Sequence, residues 1–189
     1  MAGYASFRLD VRGDDALLQR IGVAPEKLRR AIQLALNTVG RNASTLSWRL
    51  ILEEINLRPS YIRNEVNFIP ATPEELRVVI YARKRGVTLS QFPHTRIYKP
   101  GKRGKPVMAG VRVNVGHDWT ELVEGAFIAR MGPAGGLIAQ RRGQERLPLD
   151  VLHGPSPSQV LGNKLDDLRE RTRPELEREL ERQLERITL

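Results

Sequence analysis

The apolar positions of this chain change their period twice, and the changes mark out its architecture. Phe7, Leu9 and Val11 alternate with polar residues, which predicts a short strand. Asp14 is placed to cap a short helix running through Ile21, with Gly22 behind it. From Pro25 the spacing lengthens: Leu28, Ile32, Ala35, Leu36, Val39, Ala43, Leu46 and Leu50 recur every three or four residues. That stripe predicts a long amphipathic helix to about Asn56, opened by a proline at the first position, where its missing N–H does no harm. Gly40 is expected to permit a bend in it. The stripe reads as a core-facing surface rather than a seam for a partner helix.

Beyond the helix the period shortens to two. "ELRVVIYARK" is β-branched and apolar, "VTLSQF" is short, and "TRIYKP" and "PVMAGVRVNVG" flank "KPGKRGKP" as two strands joined by a basic loop. "EGAFIARM" and "GLIAQRR" form a further pair, and Leu147 and Leu149 around Pro148 mark a short edge segment. Consecutive strands with short turns pair as hairpins, so the middle predicts a mostly antiparallel sheet of about five or six strands.

Helix then returns. Ser156, Pro157 and Gln159 supply an N-cap, a first-position proline and a capping-box partner. Thr172 and Glu175 repeat the device around Pro174, which predicts two helices meeting there. Leu176, Leu180, Leu184 and Ile187 form a narrow apolar stripe that suits either the domain's own surface or a neighbouring subunit. The expected fold class is α+β: a long N-terminal helix packed on a mostly antiparallel β-sheet, followed by C-terminal helices. The expected division is a domain over 1–157 and a helical extension over 158–189.

One stretch tests for an enzyme. Gly132-Pro133-Ala134-Gly135-Gly136 lies between two apolar segments, where a phosphate-binding loop would also lie. A P-loop needs a lysine and a hydroxyl after its last glycine, but Leu137-Ile138-Ala139 follows. A dinucleotide loop needs a helix next, and "GLIAQRR" is a short apolar segment soon followed by Gly143. The run reads as a hairpin corner, its glycines supplying positive φ and Pro133 fixing its own φ. His94, His117 and His153 are far apart in sequence and never at helical ligand spacing. His117-Asp118, with Glu121 and Glu124 nearby, reads as a polar turn, and Glu53-Glu54 as a solvated face. No G-x-S-x-G occurs, and no cofactor or metal is expected.

Composition sharpens the alternative. Zero cysteines exclude disulfides and thiolate chemistry, no long apolar run predicts a membrane span, and the N-terminus lacks the layout of a signal peptide. The net charge is +9, and residues 58–112 alone hold twelve Lys/Arg against three Glu, so this segment carries the whole excess. Within it Arg96, Lys99, Lys102, Arg103, Lys105 and Arg112 stand together with no acidic residue between them. Gly and Pro punctuation predicts a projecting tip that sets these cations against phosphates without reading bases, or against an acidic protein surface. Aromatic content of 5% argues against a base-stacking platform. Arg83, Lys84 and Arg85 form a second basic cluster, expected at a neighbouring strand end.

The stretch "GAFIARMGPAGGLIAQRRGQERLPLDVLHGPS", Gly125 to Ser156, resembles the prophage minor tail protein Z family of tailed bacteriophages. The matching pieces are Gly125-Ala126-Phe127-Ile128, the corner at Gly132, Arg141-Arg142, Arg146-Leu147-Pro148-Leu149 and Gly154-Pro155-Ser156. Upstream, an "ALN" step in the long helix, a "YIR" segment and "GVTLSQF" before the basic hairpin follow the same order. The resemblance covers roughly residues 31–160; the double arginine and the charged C-terminal helices depart from it. It implies a non-enzymatic virion component, in the tail or neck, present in the host cytoplasm during assembly. It further implies a homo-oligomeric ring around the DNA channel that completes the tail and joins it to the head, with tail-tube, terminator or head-connector proteins as partners. A free, sequence-independent binder of double-stranded DNA is the alternative that charge alone would favour.

Overall fold

The computed structural model describes residues 5–10, 25–130, 136–143, 145 and 147–188. Val11, the helix expected from Asp14 to Ile21, the corner from Gly132 to Gly135, and Arg146 lie outside the described residues. The chain forms two compact units. Of the described residues, one gathers those up to 50, 63–84 and 157–188; the other gathers 51–62 and those within 85–156. The architecture is α+β, as the periodicity predicts.

The first unit is built on α1 (Pro25–Glu54), whose last turn belongs to the second unit, and on a sheet of β1 (Ser6–Asp10), β2 (Val66–Ile69) and β3 (Arg77–Ala82). β3 is central and pairs antiparallel with both neighbours. Register places Phe7 and Phe68 beside Ile80, and Leu9 beside Val78. Alternation therefore gives the sheet one apolar face, on which Val78, Ile80 and Ala82 are fully buried. α1 buries Leu28, Ala31, Ala35, Leu36, Val39, Ala43 and Leu50, while Ile32 and Leu46 are only half-buried. Ser47 occupies the same stripe because its hydroxyl donates to the Ala43 carbonyl at 2.7 Å and is thereby satisfied. Gly40 makes a close contact: a Cβ there would stand 2.8 Å from both Phe68 Cε2 and Val78 Cγ1. It is where the helix meets the sheet.

The C-terminal elements belong to this unit and correct one expectation. α3 (Pro157–Asn163) starts on its proline as predicted, but α4 (Leu165–Thr188) continues through Pro174. The break falls at Lys164, after Gly162 and Asn163. A proline inside a helix costs roughly 3 kcal/mol, and here packing and side-chain bonds on both sides offset it. Leu168 and Thr172 are buried, Arg173 donates to Glu177 at 3.0 Å, and Asn42 of α1 donates to Glu175. Glu175 thus reaches α1 instead of capping a new helix. Leu168, Thr172 and Gln183 of this helix are buried within the single chain, whereas Leu176, Leu180, Leu184 and Ile187 of the apolar stripe are half-buried.

The expected sheet of five or six strands is divided: its first strand, β3, lies in the first unit, and the rest form three smaller sheets in the second. β5 (His94–Pro100), β6 (Pro106–Gly116) and β7 (Trp119–Glu124) form a meander. β8 (Phe127–Arg130), β9 (Gly136–Arg141) and β10 (Leu149–Val151) form another, in which Arg130 pairs with Gly136 as the arms of the expected hairpin. β4 (Val87–Thr88) pairs with β11 (His153–Gly154), a contact between distant parts of the chain that periodicity does not reveal. The short α2 (Pro59–Glu65) was not expected; it straddles the two units along the chain. Val111, Val113, Val115, Phe92, Ile138 and Ala139 are among this unit's buried apolar groups.

Candidate polyanion-contact hairpin

β5 and β6 pair from His94↔Val113 to Pro100↔Pro106, so the basic loop is the end of a long two-stranded hairpin. Its tip, Lys102–Gly104, is one turn of 3-10 helix between the two prolines. Gly101 N–H donates to the Lys105 carbonyl at 2.9 Å, and Gly104 N–H to the Gly101 carbonyl at 3.2 Å. Gly104 sits at φ +72°, a left-handed conformation that a side chain would strain. The loop is therefore a closed turn, and local backbone bonds account for its shape.

Arg96, Lys99, Lys102, Lys105 and Arg112 are all exposed; the Arg103 side chain lies outside the described part. Among the described residues none of these five is ion-paired. Uncompensated cations on a projecting element concentrate positive potential there. The hairpin does not keep the whole set on one side. Arg96 pairs with Val111, while Arg112 pairs with Thr95. Neighbouring positions on a strand face opposite ways, so Arg112 and Lys99 share the outer face and Arg96 lies on the other. Lys102 and Lys105, at the turn, are reachable from either.

The second basic cluster follows the end of β3. Arg83 N–H donates to the Glu65 carbonyl, and its guanidinium lies 3.9 Å from the Glu65 carboxylate. Arg83 is thereby partly neutralised, whereas Lys84 and Arg85 are exposed. Lys84 and Arg85 fall in different units, and the hairpin belongs to the second.

Folding brings together two histidines that the sequence separates. His94 and His117 line one cleft of about 720 Å³ in the second unit, with Arg58, Gln91, Asn56 and Asn114. Asn56 Nδ2 donates to Asn114 Oδ1 at 2.7 Å, and the Asn56 N–H donates to the Val115 carbonyl at 2.9 Å. His94 Nδ1 lies 2.8 Å from the Phe92 carbonyl. His117-Asp118 is the turn between β6 and β7, as expected of a polar turn. His153 lines a separate cavity of about 210 Å³ with Trp119 and Glu121. Among the described residues no group of three or more His, Asp or Glu side chains is placed to hold a metal. No helix of the described residues is long and apolar enough to cross a membrane.

The segments that carry the family resemblance have definite work in this geometry. Asn37 of the "ALN" step binds the backbone after β2, and Arg63 of the "YIR" segment stacks its guanidinium 4.6 Å from the Trp48 ring centre. The doubled arginine divides its labour: Arg141 lies 5.6 Å from the Phe127 ring centre, and Arg142 Nε donates to both carboxylate oxygens of Asp150 at 2.9 and 2.8 Å. No curated protein and no solved structure matches the chain. The model of the family described as Prophage minor tail protein Z matches residues 14–188, nearly the whole chain, and this protein belongs to that family of bacteriophage tail structural proteins.

Proposed function

We propose that this chain completes the phage tail and prepares it to join the DNA-filled head, acting as a homo-oligomeric ring around the DNA channel. The observation that supports the reading most is the β5–β6 hairpin, a closed turn carrying unpaired cations at the end of two paired strands. In a ring, each copy contributes one such tip, and a weak per-subunit charge sums to a strong field on the axis or on a neighbouring ring. The tip meets phosphates of the DNA or an acidic surface of a tail-tube, terminator or head-connector protein. Its contact is with backbone charge and not with base edges. The role is structural, and no cofactor enters it.

Replacing Lys102, Arg103 and Lys105 by alanine tests this directly in a tail-joining assay. The expected result is a folded protein that enters particles but joins heads poorly. Normal joining by the triple variant overturns the role given to the tip. The concentrated charge also favours a second reading, a free sequence-independent DNA binder. That reading requires tight duplex binding by the isolated chain, with the salt slope falling by about 0.9 for each phosphate contact removed. Unchanged DNA affinity with lost joining would assign the tip to a protein partner.

A further inference from the structure

The β5–β6–β7 sheet has two outer edges, and they carry opposite charge. β5 holds Arg96 and Lys99 and no acid, whereas β7 holds Glu121 and Glu124 and no base. Among the described residues no further strand pairs with either edge, and none of these four side chains is ion-paired. Large apolar groups flank them in the open, with Tyr98 54% and Trp119 51% exposed and Leu122 exposed as well.

Direction and register make the two edges complementary. Both pair antiparallel with β6, so β5 and β7 run the same way. The two register shifts add residues to β6, at Ala109 and Val115, which leaves β5 and β7 alternating regularly. Arg96 pairs with Val111 and Glu121 with Val113, so Arg96 and Glu121 share a face. Lys99 and Glu124 each stand three positions further on and share the opposite face. Laid side by side as parallel strands, the segments match position by position. Thr95 meets Thr120, Arg96 meets Glu121, Ile97 meets Leu122, Tyr98 meets Val123 and Lys99 meets Glu124.

We propose that β7 of one copy and β5 of a second copy join edge to edge as parallel strands, continuing the sheet head to tail across the subunit boundary. Backbone hydrogen bonds supply the attraction, and the two ion pairs with their apolar neighbours set the register. Like edges are excluded: β5 against β5 opposes cations, and β7 against β7 opposes carboxylates. Only the unlike pairing remains, and such a heterologous contact generates a ring when its rotation closes. This inference rests on the oligomeric reading above and supplies its contact surface. It assigns Arg96 and Lys99 to the subunit boundary, leaving the tip cations for the polyanion.

Two charge-reversed proteins test it by sedimentation velocity at low salt: Arg96→Glu with Lys99→Glu, and Glu121→Lys with Glu124→Lys. Wild type is expected to associate, each variant alone to sediment as a folded monomer, and their equimolar mixture to re-form assemblies of alternating composition. Wild-type-sized assemblies from each variant alone, or a mixture of folded variants that stays monomeric, overturn the edge contact while the ring reading stands. A wild type that is monomeric alone and in particles removes the ring reading and the contact together. Should the reversals disturb folding, Thr95→Cys with Thr120→Cys gives a second measurement in this cysteine-free chain. Within one copy these positions are separated by β6, about two strand spacings or roughly 10 Å, beyond disulfide reach. Oxidation is expected to give a ladder of linked copies, and monomer alone would contradict the contact.

Discussion

Asn37 holds both halves of the Ala71 backbone: its Oδ1 accepts from the Ala71 N–H at 2.8 Å, and its Nδ2 donates to the Ala71 carbonyl at 3.0 Å. One side chain on α1 thereby fixes the segment leaving β2, and Gln33 adds a bond to the same carbonyl at 3.1 Å. Asn37→Ala leaves the Ala71 N–H, part-buried, without that acceptor. The expected loss is about 1–3 kcal/mol, read as a lower urea midpoint with an unchanged slope.

Gly40 shows packing overriding helix propensity. Alanine there gains up to about 1 kcal/mol of propensity, but its methyl group meets Val78, a stiff β-branched side chain at the buried centre of the sheet. Overpacking costs about 1–3 kcal/mol. Gly40→Ala is therefore expected to lower the melting temperature, and a higher one would contradict this account of the helix–sheet contact.

Thr172 gives the opposite case. It is 1% exposed, and its hydroxyl finds no hydrogen-bond partner among the described residues. Thr172→Val keeps the shape and removes the unpaired hydroxyl, whose burial costs about 1–3 kcal/mol on mutational scales. The variant is expected to melt higher than wild type; calorimetry decides the matter.

The Arg142–Asp150 pair carries a pH signature. The hydrogen bonds from Arg142 hold the Asp150 carboxyl below the usual carboxylate range. A depressed folded-state value contributes stability that is present above the unfolded pKa of about 3.9 and is lost as pH falls through the folded value. Asp150→Asn is expected to lower stability slightly at neutral pH and to converge with wild type in acid, removing that part of the acid slope; the amount is small because the pair is exposed and screened. Urea titrations at several pH values, in low and high salt, would show it.

How much of this was legible in the residues depends on how local each feature is. α1 and its proline start follow from a period that the helix itself imposes. The basic hairpin was legible because "KPGKRGKP" brackets its own turn with prolines and glycines. β1 pairing with β3, and β4 with β11, depend on contacts between distant segments, which periodicity does not encode. β7 escaped because Leu122 and Val123 are adjacent and break the alternation. Pro174 misled because its local cost is offset by Asn42, a partner on another helix. The sequence groups the six cations, yet the separation of Arg96 from Lys99 and Arg112 on opposite faces follows only from the Thr95↔Arg112 and Arg96↔Val111 register. His94 and His117 share a cleft for the same reason: the fold sets the His117 turn beside the start of β5.

The most direct measurement is a reconstruction of the assembled particle at side-chain resolution, read at the tip from Lys102 to Lys105. The account predicts a closed ring of this chain, with each tip against DNA in the channel or against an acidic surface of an adjoining ring. A tip pointing into bulk solvent, touching neither DNA nor protein, would contradict it.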